Sequence, residues 1–272
     1  MDRVIKEKKD LSMLEWSKFR ESSGTAGSFL KSYLMIENQK IYFKLSNYNY
    51  IDGVIGHECV NEIIVDRLLH ILGIEHLKYY LINANIIIDD KRINTYLCAS
   101  KNFRISSEEK IPLDTFYDLK KQKGENILSF CIRMGFDEKI YEMLIIDYLI
   151  LNRDRHGANI EILYNKKTKK YRIAPFFDHG LSLLFNTSED QLTSIDVLED
   201  KKTNAFIGGS STFDNLKIIP KDKFPKLNKL SKKDKDYIFK DLEDIITKNR
   251  IDKIWEMIWE RWCNYENLFN QK

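Results

Sequence analysis

The hydrophobic positions of this chain change period near Ser106, and the change divides it into a sheet-like first part and a helical second part. Tyr33, Met35 and the run from Ile41 to Leu45 follow the period-2 pattern of a hairpin, reached through the small-residue stretch Glu21 to Lys31. From His57 to Leu72 the period lengthens. Val60, Ile63, Ile64, Leu68, Leu69 and Ile71 form a helical stripe that Gly73 stops. Leu77 to Ile88 and Ile93 to Ala99 then read as strands about an Asp89-Asp90-Lys91 turn. Residues 1–20 read as a polar lead-in or a short helix.

Beyond Ser106 the pattern predicts helices over Leu113 to Lys123, Ile127 to Met134 and Asp137 to Asn152. The last is apolar on almost every side, from Ile140 and Tyr141 through Leu149 and Ile150, which marks a helix buried at the centre of a domain. Two short strands are expected at Ile160 to Tyr164 and Tyr171 to Pro175, with a loop over Gly208 to Asn215. Helices return at Lys235 to Lys248 and Asp252 to Asn270, where Trp255, Ile258, Trp259, Trp262, Tyr265 and Phe269 recur at three and four as a packing face.

Composition narrows the class. With 272 residues, 43% apolar and 31% charged, the chain can bury a sizeable core, and at about 150 residues per domain it holds nearly two units. No apolar run reaches the roughly 18 residues of a membrane span, since Asp147 interrupts the best one, Met143 to Leu151. The opening MDRVIKEKKD has no apolar core of a secretory signal, so a cytoplasmic location is expected. A net charge of +3 is too small to argue for nucleic acid or an anionic membrane. The exception is Lys217 to Lys235, whose eight lysines and two aspartates read as a solvated connector first and a docking patch second. Cys59, Cys98, Cys131 and Cys263 form no CxxC pair and read as reduced, mostly buried thiols.

Candidate chemistry lies in Asn152-Arg-Asp-Arg-His-Gly-Ala-Asn159 and in Pro175-Phe-Phe-Asp178-His-Gly180. Asp154 and Asn159 share a loop after the buried helix, and Asp178 follows a tight hairpin, so three oxygen-bearing side chains can converge. Phosphoryl transfer needs such a set: a carboxylate to orient or deprotonate the attacking hydroxyl, and an Asn and an Asp to hold magnesium against phosphates. Asp and Asn also populate ordinary turns, so the two motifs alone leave a purely structural role open. A nucleotide clamp upstream decides between them. Gly24 to Ser28 offers backbone amides to an anion. Lys44 sits mid-strand among apolar residues, where a charge needs a partner; Glu62 on the following helix is suited and Glu58 competes. A Walker A loop is absent, because three residues separate Gly27 from Lys31.

In this order the Gly-rich segment, Lys44, Asn61-Glu62 eleven residues before Gly73, the Asp154-to-Asn159 loop and the Asp178-His-Gly180 turn resemble the HipA-like serine/threonine kinases. The likeness spans roughly Ser22 to Leu184 and is nearest to the compact CtkA-like and HipT-like members. It implies an α+β, two-lobed protein-kinase-like fold: an N-lobe antiparallel sheet with one helix over 1–105, and a mostly helical C-lobe over 106–272. ATP and Mg²⁺ are the implied cofactors. Asp154 becomes the catalytic aspartate, Asn159 and Asp178 the metal ligands, Lys44 the contact to the α/β phosphates and Glu62 its anchor. The amides of Gly24, Thr25, Ala26, Gly27 and Ser28 would cover the triphosphate. Adenine would lie against Leu97 to Phe103, expected to join the lobes, with Cys98 and Ser100 in that segment. His156 would brace the loop through a hydrogen bond. A Ser or Thr of a protein is the implied acceptor, and Ser22, Ser23, Thr25 and Ser28 are implied sites of autophosphorylation. Long HipA proteins carry an N-terminal subdomain before the glycine segment; here about 20 residues precede it, so the resemblance implies either a small partner protein or antitoxin that supplies it, or a subdomain that is dispensable as in the CtkA-like members.

Two rivals keep a stated place. Phosphatidylinositol kinases share the D-R-H-x-x-N and D-x-G pair, which makes a phosphoinositide or small-molecule kinase the alternative, although no basic amphipathic helix brings the chain to a membrane. A non-catalytic ATP-binding toxin or regulatory module is the other. Against it stands the joint presence of Lys44, Asp154, Asn159 and Asp178, which a scaffold does not need. His156 and His179 lack HExxH spacing and no GxSxG occurs, which excludes those hydrolase classes.

Overall fold

The computed structural model describes residues 3–17 and 29–270; Ser22, Ser23 and the Gly24-to-Ser28 segment lie outside the described residues. The first half builds β1 (Val4–Asp10), β2 (Lys31–Ile36), β3 (Gln39–Leu45), the short pair β4 (Tyr48–Asn49) and β5 (Gly53–Val54), α1 (Glu58–Leu72), β6 (Tyr79–Ile88) and β7 (Lys91–Lys101). Five of these strands form one sheet in the order β1-β6-β7-β3-β2. Both expected hairpins form on two-residue loops with positive φ: Glu37 and Asn38 at 47° and 62°, Asp89 and Asp90 at 50° and 62°. That geometry matches the twist of the flanking strands, and Asn and Asp tolerate it.

Strand β1 corrects the expected lead-in or short helix. Only Val4 of its sequence VIKEKKD is buried, because an edge strand parallel to β6 has one neighbour and little core to face. A second correction concerns the joining segment. Leu97 to Lys101 is still sheet, with Cys98 and Ser100 paired on both sides, so the connection begins at Asn102.

The second half comprises β8 (Glu108–Pro112), α2 (Leu113–Lys120), α3 (Ile127–Arg133), α4 (Asp137–Leu149), β9 (Glu161–Asn165), β10 (Lys170–Ile173), α5 (Thr212–Leu216), α6 (Asp234–Ile238) and α7 (Lys248–Asn270). Strand β8 was hidden in the sequence because its EEKIP carries no alternation, yet it pairs with β9 in a three-stranded sheet. Part of the expected Gly208-to-Asn215 loop is helix α5, capped by the Ser211 side chain. The expected helix Lys235 to Lys248 is reduced to α6. After it Asp241 takes a left-handed φ of 64°, and the apolar residues Phe239, Leu242 and Ile246 are buried by successive turns.

The sheet is covered on both faces. Phe43, Leu45, Ala84, Ile86, Leu97 and Ala99 pack with Leu14 on one side, while Tyr79, Leu81 and Cys98 on the other join α1 and the helices of the second half in one continuous core. Helix α1 is therefore buried nearly all round and ends at Gly73, whose φ of 76° closes it with amide bonds back to His70 and Leu69. Among the described residues no helix is long and apolar enough to cross a membrane.

Candidate active site

Helix α1 carries five buried polar side chains, and each is matched. Asn61 donates to the carbonyls of Gly180 and Ser182 at 3.0 and 3.1 Å, and Glu62 accepts the His179 amide at 3.0 Å, so the turn after Phe177 is tied to this helix. Gly180 is needed for that approach, since a Cβ there would meet the Glu58 side chain at 3.0 Å. Glu58 accepts the Asn47 amide at 3.1 Å, which removes it as the Lys44 partner.

Lys44 lies on β3 between β2 and β7 and points at α1. Its Nζ is 2.7 Å from Asp178 Oδ1 and 3.2 Å from Glu62 Oε1, which draws three distant segments to one point. Burial alone would lower the Lys44 ammonium, but Asp178, Tyr79 and Glu62 outweigh it and hold the pKa well above its usual value. Asp178 is held below the ordinary carboxylate range, burial being outweighed by Lys44 and Lys31. Glu62, buried and beside the like charge of Asp178, is pushed up. Asp178 itself has a φ of 63°, a backbone state that Asp tolerates better than most residues and that is common at functional turns.

The loop after α4 is organised by a residue the sequence did not single out. Arg155 pairs with the buried carboxylate of Asp147 at 2.8 Å, donates to the carbonyls of Asn159 and Phe177 at 3.4 and 3.3 Å, and reaches His179 Nδ1 at 3.1 Å. A guanidinium only donates, so His179 Nδ1 is the acceptor and the ring is neutral; burial and the Arg155 cation hold its pKa well below the usual value. Arg155 therefore performs the bracing expected of His156, whose Nε2 lies 3.7 Å from Asp154 Oδ2. Asn159 donates from Nδ2 to the Asp154 carbonyl at 2.9 Å. Among the described residues Asp154 Oδ1 is buried with no hydrogen-bond partner, a costly state for an acceptor unless a ligand completes it.

Cys98 and Ser100 stand in the sheet, Cys98 directly opposite Lys44, and burial raises the Cys98 thiol far above its usual pKa. Phe103, in the connection, stacks on Phe177 at 5.7 Å and so ties the connection to the residue before Asp178. Neither aromatic was legible as a pair, because 74 positions of chain separate them.

No protein-family model matches the sequence, and no curated protein does. Among solved structures, the proinflammatory kinase CtkA of Helicobacter pylori superposes with a TM-score of 0.59 at 16% identity, over 94% of each chain. HipA of Shewanella oneidensis MR-1, solved with HipB and its operator DNA, gives 0.40 at 12% identity, over 93% of this chain and 64% of that one. The chain has a two-lobed, kinase-like fold.

Two of the site's side chains have the donor chemistry that a magnesium ion takes. The Asn159 amide oxygen, left over when Nδ2 donates to Asp154, and the Asp178 carboxylate are hard donors of the type Mg²⁺ takes. Among the described residues no three His, Cys, Asp or Glu gather to hold a metal by themselves, so phosphate oxygens and water would complete the shell.

Proposed function

We propose that this chain is an ATP- and Mg²⁺-dependent serine/threonine protein kinase of HipA-like type. The observation that carries the reading is the meeting of Lys44 with Glu62 and Asp178 at 3.2 and 2.7 Å, on a fold it has in common with a kinase. Lys44 would hold the α/β phosphates, with Glu62 keeping it in place. Asp178 and Asn159 would hold the metal, which supplies neutralisation of phosphate charge. Asp154 would accept the hydrogen bond of the attacking hydroxyl through its unpaired Oδ1 and take its proton as the oxygen attacks the γ-phosphorus and ADP leaves. Catalysis in this scheme comes from positioning and charge, with no covalent enzyme intermediate.

The same reading makes Ser22, Ser23, Thr25 and Ser28 acceptors in cis, and a phosphate of about −2 charge there would repel the triphosphate. Intact-mass spectrometry after incubation with Mg·ATP tests this. Wild type should gain phosphate, mapped by fragmentation to 22–28, and Asp154→Ala should gain none. Phosphate gain in both proteins would remove Asp154 from its role.

A further inference from the structure

Strand β2 carries a lysine that this scheme leaves idle. Lys31 stands directly opposite Lys44 in the β2–β3 register. Residues so placed in an antiparallel pair share a face, with Cβ atoms about 5 Å apart. Lys44 turns its ammonium to Asp178 and Glu62, so Lys31 belongs to the same row, on the face of the sheet that carries Lys44. Although the residue keeps solvent access, desolvation by the protein around it pulls its pKa below the usual lysine value, with Lys44 acting the same way and Asp178 and Glu62 against it.

Two lysines opposite one another repel, and such a pair is unfavourable by itself. Asp178 and Glu62 balance it only while Asp178 stays on Lys44. Were Asp178 to hold a metal, two lysines on one sheet face would stand beside one buried glutamate. That surplus suits a polyanion. We propose that Lys31 is a second phosphate-binding lysine, gripping the phosphate chain of the nucleotide beside Lys44; the inference rests on the nucleotide reading above. The competing role is an edge lysine that only discourages strand pairing, which does not require the register opposite Lys44.

Titration of Mg·ATP, Mg·ADP and adenosine against wild type, Lys31→Met, Lys31→Arg and Lys44→Met separates these roles. Losing one charge-assisted contact should weaken Mg·ATP and Mg·ADP about tenfold in Lys31→Met. Adenosine affinity and the nucleotide-free melting temperature should stay unchanged, and Lys31→Arg should recover most of the loss. Wild-type affinity in Lys31→Met, with Lys44→Met impaired, overturns the role of Lys31 and leaves the nucleotide site standing. Equal weakening of all three ligands marks a structural residue and overturns it too. A wild-type protein that binds no Mg·ATP overturns both.

Discussion

Asp154 and Arg155 are neighbours with opposite relations to the sequence. Asp154, with Asn159, Asp178, Lys44 and Glu62, stood out in the sequence because the proposed phosphate transfer calls for those residue types in that order. Replacing Asp154 by Ala should abolish transfer and leave ATP affinity within about threefold, since in the proposed scheme the residue would address the acceptor hydroxyl and not the nucleotide; equilibrium titration beside a turnover assay checks it. Arg155 could not be read in this way. Its partners are a helix carboxylate, two backbone carbonyls and a ring nitrogen, and main-chain acceptors leave no mark on a sequence. Arg155→Met should destabilise the fold by about 3–5 kcal/mol, because it strands the buried Asp147 charge. Urea unfolding measures that loss.

Helix α1 is the element on which the site depends, and its period made it plain in the sequence along with α4 and the β6–β7 hairpin. Period fails where an element borrows its stability from a single neighbour: β1 and β8 have too few buried positions to alternate. It also overruns α6, which ends at Ile238 while the apolar positions continue through turns that include a left-handed Asp241. Nor does period show what α1 is fastened to. Arg67, 4% exposed, donates to the carbonyls of Ile238 and Lys240 at 2.9 and 2.7 Å, which moors the helix bearing Glu62 to the second half of the chain. Arg67→Ala should leave both carbonyls unmatched and cost roughly 2–4 kcal/mol. Hydrogen exchange should rise in α1 and in residues 234–244 together, and protection unchanged in α1 would break the link between them.

Over the whole molecule the two halves are cross-tied as well as packed. Arg3, just before β1, reaches Tyr237 at 3.2 Å and pairs with Asp66, Lys6 reaches Asp244 at 2.9 Å, and one core runs through α1 into the helices. Asp66 has an acid signature. Burial alone would raise its carboxyl, but His76, the Tyr79 amide and Arg3 outweigh this and hold it below the ordinary value. The unfolded chain therefore protonates first. The stability from Asp66 is complete above about pH 4 and is lost as pH falls through the lower folded value. Urea melts at about pH 6 and about pH 3 should show the decline, and Asp66→Asn should flatten it. The claim that this fold is a phosphotransferase is tested most directly by ADP release from Mg·ATP with a Ser/Thr-rich protein acceptor, in wild type and Asp154→Ala. Turnover in wild type that falls at least about 100-fold in the variant, with Mg·ATP still bound by both, is the predicted result. Equal turnover in the two proteins, or a wild type that neither binds nor consumes Mg·ATP, would contradict it.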